Sequence, residues 1–123
     1  MANCPSAVVG ATTGSLAIDG GVVLDVTATD PAAAREIVEL AHRHAAMGPP
    51  DPSRGLHTGR HGGPGGTESG HCPVIHVGTT VTVTDIAGGA RITVLATDPA
   101  KAAELQRETR ERIQWLDPSM RAP

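Results

Sequence analysis

The stretch CPVIHVGTTVTVTDIAGGARITVLATDPAKAAE, residues 72–104, repeats the earlier stretch CPSAVVGATTGSLAIDGGVVLDVTATDPAAARE, residues 4–36. A shift of 68 residues aligns the two stretches without a gap, and 16 of the 33 aligned positions are identical. Self-similarity of this kind indicates that one structural unit occurs twice in the chain. The architecture of the unit therefore decides the architecture of the protein.

Each copy has the pattern of a β-hairpin followed by a helix. In the second copy, residues 80–84 and 90–96 alternate in polarity around an Ala-Gly-Gly turn. A Thr-Asp-Pro tripeptide follows each hairpin. Because Asp can accept the free amide hydrogens of a first helical turn and Pro fits the first helical position, the pattern predicts helices over residues 31–47 and 99–116.

Two such units predict an α+β fold of order ββαββα. We expect a four-stranded antiparallel sheet with both helices on one face and the copies related by a pseudo-two-fold axis. The whole chain, residues 1–123, forms one domain, in which repeats 4–47 and 72–116 are joined by a Gly, Pro and His-rich linker over residues 48–71. The inward strand positions are Val22, Leu24, Val26 and Ala28 and the matching Ala90, Ile92, Val94 and Ala96. The other sheet face is expected to carry polar Thr, Ser and Asp or to be covered by a second molecule, so the prediction includes a homodimer.

Composition excludes several classes of function. The chain has 123 residues, a net charge of -3 and Trp115 as its one aromatic residue, so a nucleic-acid partner is not expected. No apolar run is long enough to span a bilayer. The N-terminal residues lack a basic region and an apolar core of the signal-peptide kind, so the predicted location is cytoplasmic. A lipoprotein or secreted chain without its leader stays open, because Cys4 lies near the N-terminus.

All six histidines lie within residues 42–76, around the junction of the two copies. Imidazole, thiolate and thioether groups are the ligands that zinc and copper prefer. We therefore expect a transition metal ion, copper or zinc, as cofactor and partner. The predicted metal ligands are Cys72 and His76, completed by His71, His44, Met47 or Cys4. On this interpretation the chain is a small soluble metal-binding protein.

Two other functions fit the same residues. A thiol-dependent enzyme could use Cys72 with a neighbouring histidine that lowers its pKa. A non-catalytic interaction module could simply build a dimer from the two ββα units. Cys4 and Cys72 occupy the same position in the two copies, so they could also come together, and the sequence leaves their pairing open.

Overall fold

The computed structural model describes residues 4–47 and 72–116. It contains strands β1 (Thr12–Ile18) and β2 (Gly21–Thr27), helix α1 (Pro31–Met47), strands β3 (Thr79–Ile86) and β4 (Gly89–Ala96), and helix α2 (Ala102–Leu116). Short 3-10 turns precede β1 and α2 at Pro5–Ala7 and Pro99–Lys101. The predicted α+β class and element order are confirmed, except that the first turn of the second helical segment is 3-10 rather than α-helical.

The four strands form one antiparallel sheet in the order β1-β2-β4-β3. The second strand of each hairpin is therefore central, and Leu24 of β2 lies directly opposite Ile92 of β4. Both side chains are fully buried. The element order is the same in both copies, while the pseudo-two-fold axis and the single domain over residues 1–123 stay predictions. The linker 48–71 lies outside the described residues.

The core lies between the sheet and the two helices. Six of the eight predicted inward positions are buried together with Ile37 of α1 and Leu105 of α2, and the other two, Ala28 and Ala96, are partly buried against them. Both helices therefore cover the same face. Helix α1 packs mainly on β3 and β4, whereas α2 packs mainly on β2 and β1. Each hairpin is thus covered chiefly by the helix of the other copy, and neither copy closes its own core.

Backbone bonds also join the two hairpins. Gly20 and Gly88 adopt positive φ angles of 86° and 80° in the hairpin turns, a conformation that glycine adopts without steric cost. The Gly88 carbonyl accepts from the Ala28 amide at 2.9 Å, and the Gly20 carbonyl accepts from the Ala96 amide at 3.0 Å. Each hairpin turn is therefore hydrogen bonded to the backbone at the end of the other copy's central strand.

An aspartate precedes each helical segment and caps its first turn, as predicted. Asp30 accepts a hydrogen bond from the Ala33 amide at 3.0 Å, and Asp98 accepts one from the Ala100 amide at 3.1 Å. These bonds satisfy amide hydrogens that have no partner within a first helical turn. In the described part of the chain, no helix is long and apolar enough to cross a membrane.

Candidate functional site

Cys4 and Cys72 form a disulfide with a Cα–Cα distance of 5.8 Å. The bond joins the same position of the two copies, 68 residues apart. Both cysteines are buried, at 2% and 4% exposure, just before the 3-10 turn of the first copy and before the segment that leads to β3. The two copies are therefore joined covalently as well as through the sheet.

The predicted Cys/His metal site is wrong. A cysteine binds a metal ion as a deprotonated thiolate. The sulfur atoms of Cys4 and Cys72 are instead bonded to each other in the disulfide. Within residues 4–47 and 72–116, no group of three or more His, Cys, Asp or Glu could hold a metal ion. The same bond removes the thiolate that a Cys72-dependent enzyme would require.

The structure brings together two of the predicted ligand histidines. His44 of α1 and His76, before β3, have stacked rings with centroids 4.6 Å apart, and Nδ1 of His44 is hydrogen bonded to Nε2 of His76. One ring must donate and the other accept, so at least one of the two imidazoles is neutral. His44 is buried at 7% exposure. The pair joins the end of α1 to the segment that follows Cys72.

The predicted ligands also included His71 and Met47. His71 lies outside the described residues, and Met47 is the last residue of α1. His42 instead contacts Asp85 of β3, with Nε2 and Oδ1 2.6 Å apart on the exposed surface. The three histidines in the described part of the chain thus make two separate contacts between α1 and the second copy.

Helix α2 also contacts segments between the elements, through charged and amide side chains. Arg112, which matches His44 in the repeat, donates to the Cys72 carbonyl at 3.0 Å and is paired with Glu108. Gln106 donates to the carbonyls of Ile18 and Gly21 at 2.9 and 3.0 Å. Both helices therefore hold connecting segments through polar side chains, which favours a structural role for the histidine pair as well.

The sheet face opposite the helices, which we call the open face, carries an apolar group that the sequence pattern does not predict. Directly opposed residues lie on the same face, and the strand register therefore assigns each residue of the open face. These residues are Thr12, Gly14, Leu16, Ile18, Gly21, Val23, Asp25, Thr27, Thr80, Thr82, Thr84, Ile86, Gly89, Arg91, Thr93 and Leu95. Leu16 lies opposite Val23, and Leu16 and Leu95 are 65% and 38% exposed. Of the two alternatives expected for this face, the one with only polar Thr, Ser and Asp is therefore incomplete, and cover by a second molecule stays a prediction.

An ion pair lies at the centre of the open face. Arg91 of β4 donates two hydrogen bonds to Asp25 of β2, at 2.8 and 2.9 Å. These bonds hold the pKa of Asp25 below its ordinary value, and they raise the pKa of Arg91. Because the two charges satisfy each other, the open face has no net charge and combines an apolar group with threonine hydroxyls.

Comparisons with protein-family models, with curated proteins and with solved structures found no match. The function is therefore inferred from the fold and its surfaces.

Proposed function

We propose that this protein is a non-catalytic interaction module that associates with a second copy of itself through the open face. The observation that supports the proposal is the exposure of Leu16 and Leu95, at 65% and 38%, on the face that α1 and α2 leave uncovered. Covering exposed apolar area favours an association because it removes that area from water. A second copy supplies the same apolar group.

The charges of the open face also fit a second copy. Asp25 and Arg91 are the two charged residues among the sixteen of this face, and they are paired with each other. Stacking two such faces therefore opposes no unpaired charge, which would be costly to bury. The threonines can donate and accept hydrogen bonds, so they can pair with identical residues of a second copy.

The size of the face is close to the lower limit for a specific interface. Four strands about 4.8 Å apart and seven residues long, at about 3.3 Å per residue, present a plane of roughly 19 by 23 Å. Two such planes bury about 900 Å², close to the lower limit of about 1,000 Å² for a specific interface. We therefore expect a weak, reversible association.

Analytical ultracentrifugation over a range of concentrations tests the association. The variant Leu16→Lys should weaken it at least about tenfold, since a buried unpaired ammonium is costly. Ser15→Lys is the matched control, because Ser15 is the exposed neighbour of Leu16 on the helix side of the same strand. Equal effects of the two substitutions, or a monomer at every concentration, would contradict the proposal.

The disulfide supports an oxidising compartment for this module instead of the predicted cytoplasm. Structural disulfides persist in secreted and periplasmic proteins and are rare where glutathione keeps thiols reduced. Protein isolated from its native cells in the presence of a thiol-blocking reagent should carry no label before reduction and two labels after it. Labelling of both cysteines without reduction would place the protein in a reducing compartment.

A further inference from the structure

Strand β3 forms one edge of the sheet, and none of the described strands pairs with its outer side. Its eight residues, TTVTVTDI, contain no Pro, Gly, Lys or Arg. Natural edge strands are commonly protected from pairing by lysine, proline or a bulge. Strand β1, at the opposite edge, contains Gly14, a residue that weakens a strand interior. The outer edge of β3 is therefore the better of the two for strand pairing.

We infer that β3 pairs antiparallel with β3 of a second copy, about a two-fold axis that passes through Thr82. The two four-stranded sheets then become one sheet of eight strands. This pairing deepens the proposed function, because it adds a second surface for association between copies. A copy paired at the edge of the sheet leaves the open face uncovered, so neither surface depends on the other. The partner is again a second copy, joined by backbone hydrogen bonds as in other cases of strand addition.

The register follows from the alternation of β3. Opposed residues must share a face, and even-numbered residues of β3 lie on the open face while odd-numbered residues lie on the helix side. Centring the pairing on Thr82 places Val81 opposite Val83 of the second copy and Thr80 opposite Thr84 of the second copy. Thr–Thr cross-strand pairs are each stabilising by about 0.2–1 kcal/mol, and the opposed valines remove apolar area from water. β3 is therefore complementary to itself in this register.

The single charge of β3 is accommodated in the same register. Asp85 lies opposite Thr79 of the second copy, so the two Asp85 carboxylates are not opposed. Strand β1 does not match itself in this way. Centring β1 on Ser15 places Gly14 opposite Leu16 and Thr12 opposite Ile18 of the second copy, which leaves large and small residues mismatched.

The position of α1 adds a second contact to the same association. α1 packs on both β3 and β4, so its axis lies about one strand spacing, roughly 4.8 Å, from the proposed two-fold axis. The two α1 helices would then be about 10 Å apart, within the range of about 8–10 Å seen for packed helices. Pairing of the two β3 strands thus also brings the two α1 helices into contact.

Disulfide trapping tests the register directly. Both native cysteines are bonded to each other, so Thr82→Cys introduces the single free thiol. Opposed Cα atoms lie about 4.5–5.5 Å apart, within the range of about 4.4–6.8 Å that a disulfide spans. Oxidised glutathione should convert Thr82→Cys into a covalent dimer, seen on a non-reducing gel.

Thr84→Cys is the matched control, on the same strand and the same face. In the proposed register its two copies are four residues apart along the strand, about 13 Å, so they should cross-link at least about tenfold more slowly. The double variant Thr80→Cys/Thr84→Cys should cross-link again. Absence of a Thr82→Cys dimer, or equal rates for Thr82→Cys and Thr84→Cys, would overturn the inference.

The experiments distinguish a failure of the open-face proposal from a failure of the edge-pairing inference. If only the open-face proposal is wrong, Leu16→Lys behaves like Ser15→Lys while Thr82→Cys still cross-links. If only the edge pairing is wrong, Leu16→Lys weakens association while Thr82→Cys stays monomeric on the gel.

Discussion

Gly21 of β2 lies directly against the backbone of Val94 in β4. A Cβ atom at Gly21 would lie 2.0 Å from the Val94 carbonyl oxygen. Gly89, the matching residue of the second copy, has the same relationship to Val26, at 1.9 Å. Both obstructing atoms belong to the backbone of a central strand, so they cannot move aside without breaking the β2–β4 pairing. The second glycine of each Gly-Gly pair is therefore required for the contact between the copies.

Gly21→Ala and Gly89→Ala should each lower the free energy of unfolding by at least about 2 kcal/mol, because the added methyl group overlaps a backbone that cannot yield. Urea denaturation followed by circular dichroism measures the change. Gly14→Ala is the control, since a Cβ at Gly14 meets nothing within 4 Å. We expect Gly14→Ala to be neutral or slightly stabilising. A comparable loss at all three positions would show that the close approach is not the cause.

The disulfide should supply a large part of the stability. Closing a loop of 68 residues restricts the unfolded chain and stabilises the fold by about 4 kcal/mol in the chain-entropy account. The double variant Cys4→Ala/Cys72→Ala should lose about this amount in urea denaturation. Wild-type protein in a strong phosphine reductant should approach the same value, while the double variant should not respond to the reductant. A response of the double variant would point to an effect other than the disulfide.

Acid should remove the contribution of the ion pair on the open face. The hydrogen bonds from Arg91 lower the pKa of Asp25, so ionised Asp25 stabilises the fold above the ordinary Asp pKa of about 3.9. This contribution is lost as pH falls through the lowered value. Asp25→Asn should therefore be less stable than wild type at pH 7, with a difference that shrinks below about pH 4. The effect is modest because the Asp25 side chain is 40% exposed.

A double-mutant cycle identifies the partner responsible. In an Arg91→Gln background, Asp25→Asn should no longer produce a pH-dependent difference in the free energy of unfolding. A difference of the same size in that background would assign the stabilisation of ionised Asp25 to another group.

Local patterns in the sequence predicted most of the fold. Alternating residues predicted the hairpins, and the Thr-Asp-Pro signals located α1, which runs from Pro31 to Met47 as expected. The strand order was not predicted, because the β2–β4 pairing consists of backbone bonds between distant segments. The close approach at Gly21 and Gly89 has a sequence signal in the repeated Gly-Gly pairs, but a turn alone also accounts for these residues.

The site was predicted less well, because cysteine and histidine serve more than one chemistry. Cys4 and Cys72 fit a metal site and a disulfide equally well by composition, and their matched positions in the repeat were the signal for pairing. Leu16 and Leu95 were missed for a related reason. They match Thr84 and Thr27 in the other copies, so the repeat suggested polar positions there. The exposure of Leu16 and Leu95 depends on the pairing of the strands, which the sequence pattern does not give.

Arg112 should contribute more to stability than the other arginines of α2. Its side chain is 20% exposed, and it donates to the Cys72 carbonyl while paired with Glu108. Arg112→Met keeps much of the apolar stem but leaves that carbonyl without this donor, so we expect a loss of about 1–2 kcal/mol in urea denaturation. Arg107→Met is the matched control on the same helix, because Arg107 is 61% exposed and contacts Glu111 at 4.0 Å. Exposed pairs of this kind contribute about 0–1 kcal/mol. Equal losses at Arg107 and Arg112 would mean that the bond to Cys72 does not hold the disulfide segment in place.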